Sequence, residues 1–457
     1  MKDIELSYQI NEVECQQLEI NNVKEYFPER YCCFQKNKVT SKTFKKLIKT
    51  KNTETFNELS EENFKRTVFT KYPVLTIDCI NTKDKDDAVY TERKDYGYRV
   101  MVHIADVSKY VPHASFLDDL ACDRSTSVYL PNKTIHMLPE ILSQNICSLN
   151  PGEKRNTLSI IIRLDHDCNV IDYKIVKGLI QSRVSGVYDE VNLLLDDKAD
   201  KYIRDKYKDV TNQLFLMHEV YEKLRARRIR LGATIEDDNK PRIHIDRFNI
   251  DITPHEEGLA ENMIEEYMIL ANHLVAEFIS ENDLPGIYRV QEEKNHLAAY
   301  KPIKKNHAEL ALESYAHFTS PIRRVADLKL HQIITMYLNG YSSKALHQIF
   351  DDELPEVCDR ATRRSRTAKQ IQDYCERYCY EQFFKLHPND KYTGCIVGFD
   401  IRNKPIVKID NFNIRITGNC RITGDVGDKY SFEVRSYDHK NGLFTYSSKS
   451  IKPHEWE

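Results

Sequence analysis

Between Pro73 and Asp165 apolar side chains tend to fall at every second position, from about Glu256 they recur at every third or fourth, and past Lys391 the alternation returns. Side chains repeating at two belong to a pleated strand and those repeating at 3.6 to a helix, which confines the chain to an α+β architecture. The first block reads as a strand (VLTIDCI), a hairpin of DAVYTER and YRVMVHIADV about a KDYG turn, and a further strand (LSIIIRLD). In the middle, Leu259, Met263, Tyr267, Leu270, Leu274 and Phe278 line one face of a helix from about Glu256 to Glu281, closed by the breaker Asn282-Asp283-Leu284-Pro285-Gly286. A second helix is expected to open at Ser320-Pro321, with serine as N-cap and proline in the first turn, and to stop at Asn339-Gly340. A third runs from about Pro355 to Leu386 and turns Val357, Ala361, Ile371, Tyr374, Cys375 and Tyr378 inward.

After Lys391 five short alternating segments, KYTGCIVGF, PIVKID, FNIRIT, KYSFEVRSYD and LFTYSS, fit a small closed all-β barrel of the OB type. A chain of 457 residues exceeds what one core organises. Three units are expected: 1–70 of unassigned fold, 71–388 as a mixed sheet packed by helices, and 389–457 as the barrel. Residues 1–70 carry only a short strand signal at Tyr8 and Ile10 and a Lys-rich, helix-like stretch from Ser41 to Lys65. The chain lacks a long uninterrupted apolar run and a signal-peptide pattern, so a cytoplasmic protein with no membrane partner is expected. Twelve cysteines without a CxxC pair point to reduced thiols. The net charge of −3 does not exclude a nucleic acid, because a groove needs only a local positive lining.

The segment from Thr76 to Ala88 places Asp78, Asp84, Asp86 and Asp87 between a strand and the next hairpin. Carboxylates crowded in this way repel and raise one another's pKa, and a divalent metal removes the penalty. Mg²⁺ suits such oxygen ligands, as does Mn²⁺. A solvated acidic turn is the plain alternative, whereas an EF-hand loop fits poorly because the required glycine after Asp87 is missing. Far along the chain, Tyr315-Ala316-His317-Phe318-Thr319-Ser320-Pro321-Ile322-Arg323-Arg324 puts two arginines in the expected first turn of a helix, where a phosphate fits. A surface ion pair to Asp327 or Glu313 is the competing reading.

Together these segments closely resemble the signatures of the RNase II / RNase R (RNB) family of exoribonucleases. The likeness continues through Val102-His103-Ile104-Ala105-Asp106-Val107-Ser108, Thr126-Ser127-Val128-Tyr129-Leu130-Pro131, Met137-Leu138-Pro139-Glu140, Cys147-Ser148-Leu149, Tyr188-Asp189-Glu190-Val191, the Glu265 to Asn272 stretch and Tyr288-Arg289-Val290. It spans about Pro73 to Leu386, and the terminal barrel matches the family's RNA-binding domain. The resemblance implies an RNB-type catalytic domain acting as a Mg²⁺-dependent, processive 3′-to-5′ hydrolase of single-stranded RNA that releases nucleoside 5′-monophosphates. By the same resemblance Asp78 and Asp87 hold the metal, Asp86 supports the attacking water or a second metal, and Asp84 orients the terminal nucleotide. Arg323 clamps the phosphate, with Arg324 beside it. Tyr129 holds the 3′ nucleotide, Tyr188 stacks on a base, and Glu265 and Glu266 reach ribose hydroxyls, although adjacent glutamates on a helix cannot both face one site.

Two Arg-rich runs, Arg225-Arg227-Arg228-Arg230 and Arg360-Arg363-Arg364-Arg366, are candidates to line the approach. Arg360, Arg363 and Arg364 share a helical face and are favoured. Three features depart from the family pattern: the absence of room for two cold-shock barrels in residues 1–70, a short Lys-rich bridge at 291–307 instead of a longer helical insertion, and Lys369 where some relatives carry a glutamate. The alternatives are a degenerate relative that holds RNA 3′ ends without cutting, and a nuclease acting on single-stranded DNA as well as RNA. A monomer is the default expectation by analogy.

Overall fold

The protein is described by a computed structural model over residues 66–450, apart from breaks at 236–240, 247–248, 256–257 and 295 and turn positions beyond 388. The strand signal at Tyr8 and Ile10 and the helix-like stretch from Ser41 to Lys65 lie outside the described residues.

The strands β1 (Thr67–Val68), β2 (Leu75–Asp78), β3 (Asp87–Lys94) and β4 (Gly97–Ala105) precede helix α1 (Phe116–Arg124) and the short pair β5 (Val128–Tyr129) and β6 (Thr134–Ile135). Then come β7 (Lys154–Leu164), β8 (Val170–Gln181) and β9 (Val184–Val187). Seven of them form one sheet in the order β1-β8-β7-β4-β3-β2-β9. It is mixed: β1 runs parallel to β8 and β2 parallel to β9, and the remaining pairs are antiparallel. The predicted hairpin is β3–β4, turned at Gly97 with φ +133°, where a Cβ would meet the Asp165 carbonyl carbon at 2.3 Å. Only glycine fits that turn.

Helices α2 (Tyr188–Leu195), α3 (Lys201–Tyr207), α4 (Thr211–Arg230) and, after the hairpin β10 (Arg242–Ile245) and β11 (Ile250–Thr253), α5 (Leu259–Glu281) follow. α4 and α5 pack on each other, with α4 against β3 and α5 against β4. The periodic residues Met263, Tyr267 and Leu274 are buried there as the spacing predicts. Next are β12 (Tyr288–Val290) and β13 (Ala299–Lys301), then α6 (Val325–Leu338), α7 (Ser343–Phe350) and α8 (Leu354–Leu386). Pro355 stands in the first turn of α8, where its missing N–H costs nothing. One end of α8, from Leu354 to Ala361, belongs to the main core, and Ala368 to Phe384 belong to a second core. Cys379 is buried in the second core and Cys375 is half-buried. No helix among the described residues is long and apolar enough to cross a membrane.

The expectation for the second helix needs correction. α6 begins at Val325 with Arg324 as its N-cap, not at Ser320-Pro321. The Ile322 N–H is taken by Asp86 and the Val325 N–H by the Ser125 carbonyl, which hold residues 320–324 in a turn outside the helix. The last five strands are β14 (Lys391–Phe399), β15 (Pro405–Ile409), β16 (Arg415–Gly418), β17 (Lys429–Asp438) and β18 (Leu443–Ser450). They close in the order β14-β15-β16-β18-β17, with β16 parallel to β18.

Two core histidines set an acid limit on stability. Burial pushes the pKa of His331 down to about 4 and that of His103 to about 3. His331 Nε2 lies 2.9 Å from the Phe318 carbonyl, so this nitrogen carries the proton of the neutral ring. An unfolded histidine titrates near 6.5, so the stability tied to each neutral ring is present above that pH and is lost as pH falls toward 4. The loss is roughly 3 kcal/mol for each ring. Urea midpoints measured between pH 7 and pH 4 are expected to fall steeply, and His331→Gln to flatten part of the fall; a parallel profile in the variant refutes the assignment.

Candidate functional site

β2 delivers Asp78 at its last residue and β3 takes Asp87 as its first, so the sheet itself brings these carboxylates together. The loop between them is tied down by Ser148, whose hydroxyl donates to the Lys83 carbonyl at 2.7 Å and accepts from the Lys85 N–H at 3.2 Å. The Asp86 carbonyl accepts from the Ala105 N–H at 2.8 Å, at the end of β4. Across the site, Asp86 Oδ1 accepts the Ile322 N–H at 2.9 Å and Asp86 Oδ2 lies 3.4 Å from Arg323 Nε. The two segments singled out in the sequence are therefore in direct contact.

A third segment locks the arginine turn. The Arg323 carbonyl accepts from the Ser127 N–H at 3.0 Å and from the Thr126 hydroxyl at 3.2 Å, and Arg323 Nη2 donates to Ser320 Oγ at 2.9 Å. Two residues on, the Tyr129 hydroxyl donates to Asp84 Oδ2 at 2.9 Å. Period-two alternation explains its aim: Val128 and Leu130 are buried in the second core, leaving Tyr129 to face the aspartates.

The carboxylates are held in an environment that disfavours their charge. Burial raises the pKa of Asp78, Asp86 and Asp87, and for Asp78 the Asp87 charge adds to the effect. Asp78 Oδ2 and Asp86 Oδ2 are buried without a hydrogen-bond donor among the described residues. Buried carboxylate oxygens without donors, with one arginine nearby, form an acceptor set matched to a hard divalent cation. Tyr188 opens α2 half-buried, and burial, then the charges of Asp87 and Asp78, raise its pKa.

The RNB domain family matches residues 66–297 and 296–340. The chain belongs to the RNB family. Ribonuclease R of Thermotoga maritima is 34% identical over 71% of this chain and 55% of that protein. Ribonuclease R 1 of Lactococcus lactis is 30% identical over 79% of this chain and 50% of that protein. The chain thus spans about half the length of these curated relatives. Among solved structures, Mycoplasma genitalium RNase R in complex with ribose methylated single-stranded RNA overlays with a TM-score of 0.74 at 22% identity, covering 88% of this chain and 75% of that one. At that identity the likeness speaks for the fold.

Within this RNB domain the other sequence-nominated residues divide. Glu266 is buried in an ion pair with Arg228, whose Nε reaches its two oxygens at 3.2 and 2.9 Å, so both are engaged and the carboxylate is not offered to a ribose. Glu265, beside it, is exposed, and neither glutamate bonds to the aspartates. Arg360, a candidate to line the approach, pairs with Asp123 at 3.3 Å and with Glu356 one turn earlier. Arg363 is exposed and Arg364 half-buried on α8. Arg324 pairs with the fully buried Asp327 at 2.7 Å, the ion pair weighed in the sequence. In the first Arg-rich run, Arg225 bonds Asn262 at 2.7 Å, so with Arg228 half of that run braces α4 on α5. Lys369 pairs with Asp373 at 2.9 Å on the exposed face of α8.

Sequence reasoning passed over His136, whose Nδ1 lies 3.9 Å from Asp84 Oδ2, and Lys85, which is buried inside the aspartate loop with Nζ on the Thr82 carbonyl at 3.0 Å. His136 immediately precedes the Met137-Leu138-Pro139 motif, which was the available signal. A second acidic group, His113, Asp118 and Glu353, has the spacing of metal ligands, but Lys329 Nζ bonds both carboxylates and already supplies their countercharge.

Proposed function

We propose that the chain is a divalent-metal-dependent hydrolytic exoribonuclease that shortens single-stranded RNA from its 3′ end and releases nucleoside 5′-monophosphates. The observation that carries the reading is the contact between Asp86 and Arg323, which joins a buried carboxylate cluster to a guanidinium from a distant segment of the chain. Carboxylates that hold a cation beside an arginine that holds a phosphate are the parts phosphodiester hydrolysis needs.

In this reading Asp78 and Asp87 are the residues that hold Mg²⁺, with Asp86 completing the set. The ion supplies Lewis acidity toward the phosphodiester and toward water. Arg323, oriented by Ser320 and Asp86, neutralises charge that develops on the phosphate oxygens. Tyr129 and Asp84 act as one hydrogen-bonded unit against the terminal nucleotide, and Tyr188 offers a ring for a base to stack on. Arg324, Arg363 and Arg364 face the strand's phosphates, and Glu265 is the member of the glutamate pair left for a ribose hydroxyl. Residues 71–388 form the catalytic domain and 389–457 an OB-type RNA-binding domain. The strand order first-second-third-fifth-fourth, with the third and fifth parallel, supports the OB assignment.

Shortening of 5′-labelled ribo- and deoxyribo-oligomers, followed with Mg²⁺ and with EDTA, tests the reading. Stepwise loss from the 3′ end, limited to RNA and stopped by EDTA, is expected. Retention of RNA without shortening identifies a non-cutting 3′-end binder, and equal cutting of DNA removes the ribose contacts from the scheme.

A further inference from the structure

Arg289 and Arg366 are cations that the proposed chemistry does not use. Arg289 on β12 stands directly opposite Tyr300 on β13, and its guanidinium carbon is 4.8 Å from the Tyr300 ring centroid. Tyr300 is held at both its backbone and its ring: its backbone N–H donates to Thr362 Oγ1 at 2.9 Å, and its hydroxyl bonds His317 Nδ1 at 2.8 Å. Thr362 lies one turn before Arg366 on α8, so the strand that carries Tyr300 packs on the helical face from which Arg366 projects. Arg324 adds a third guanidinium, and the fully buried Asp327 is committed to it.

Among the described residues neither Arg289 nor Arg366 has an ion pair or a side-chain hydrogen bond. Burial, and then the Arg324 and Arg366 charges, pull the Arg289 pKa down, as expected of a cation kept among cations. Arg289 is half-buried and Arg366 exposed, neither is matched by a carboxylate among the described residues, and the guanidinium fork suits a phosphate.

We infer that Arg289 and Arg366, flanking the Tyr300 ring, form a second phosphate-binding site that takes an internal phosphate of the bound strand, separate from the scissile phosphate at Arg323. The inference rests on the reading of the chain as an RNA-degrading enzyme. Each guanidinium donates to the non-bridging oxygens, and the fixed ring keeps Arg289 extended toward the strand.

The test uses the non-cutting Asp86→Asn protein and RNA oligomers in which one internal phosphate at a time is a neutral methylphosphonate, with Kd read by fluorescence anisotropy. Neutralising one particular position is expected to weaken binding roughly tenfold, and to have no such effect when Arg289→Gln or Arg366→Gln is also present. The slope of log Kd against log salt is expected to fall by about 0.7 in either variant, and Arg289→Lys to restore much of the slope. Equal penalties at every position with and without the substitution, or an unaltered slope, overturn the site while leaving the enzyme reading intact. An unsubstituted protein that binds no RNA when held in EDTA overturns both, and is recognised before any substitution is made.

Discussion

Asp86→Asn is expected to slow RNA cleavage by roughly 10³-fold or more while RNA binding stays measurable. Asparagine keeps the shape and an oxygen to accept the Ile322 N–H, so the joint between the aspartate loop and the arginine turn survives. What it removes is the charge that faces Arg323 Nε at 3.4 Å and contributes to the acidic set with Asp78 and Asp87. Single-turnover cleavage of a labelled oligomer, alongside anisotropy with the same RNA, separates the two effects. Turnover at the parent rate rejects the role given to Asp86, and loss of binding together with turnover assigns it to the fold instead.

The largest stability effect is expected at Lys329, whose substitution by methionine should cost about 3–5 kcal/mol. Lys329 is fully buried, bonds Asp118 Oδ2 at 2.8 Å and also bonds Glu353. Burial alone would raise the Glu353 pKa, but hydrogen bonds from His113 and Lys329 hold it down at about 2. Without the ammonium, Asp118 keeps only weaker donors, among them Gln332 at 3.0 Å, and a buried carboxylate is left short of countercharge. A domain is usually stable by about 5–15 kcal/mol, so the variant should sit close to unfolding. Urea denaturation measures the loss, and adding Asp118→Asn to Lys329→Met should recover part of it because the two sites are coupled. A loss under about 1 kcal/mol would show that water compensates the carboxylates after all.

Elements governed by nearest neighbours along the chain were readable in advance. Hydrophobic period two located β2 to β4 and β7, period 3.6 located α5, and Pro355 with the run to Leu386 located α8 nearly to the residue. The four aspartates were nominated by their crowding together with the distant arginine segment and the family resemblance, and burial raises the pKa of three of them. Motif order carried the family assignment across more than half the chain.

Other outcomes depended on partners carried by separate elements of the fold. Ser320-Pro321 has good local capping chemistry, yet the helix starts at Val325 because Asp86 and Ser125 take the backbone donors a helix would have organised. Glu266 reads as an open carboxylate on a helix until α4 brings Arg228 against it, and Arg360 gains Asp123 from α1 in addition to Glu356 on its own helix. His136 was signalled only by the Met137-Leu138-Pro139 motif that follows it, and packing sets its Nδ1 3.9 Å from Asp84 Oδ2. The sequence by itself determined where backbone geometry repeats and which residues crowd like charges. Only the tertiary structure decided which charges are neutralised and which remain open to a ligand, because that depends on the distance between groups that chain connectivity leaves free.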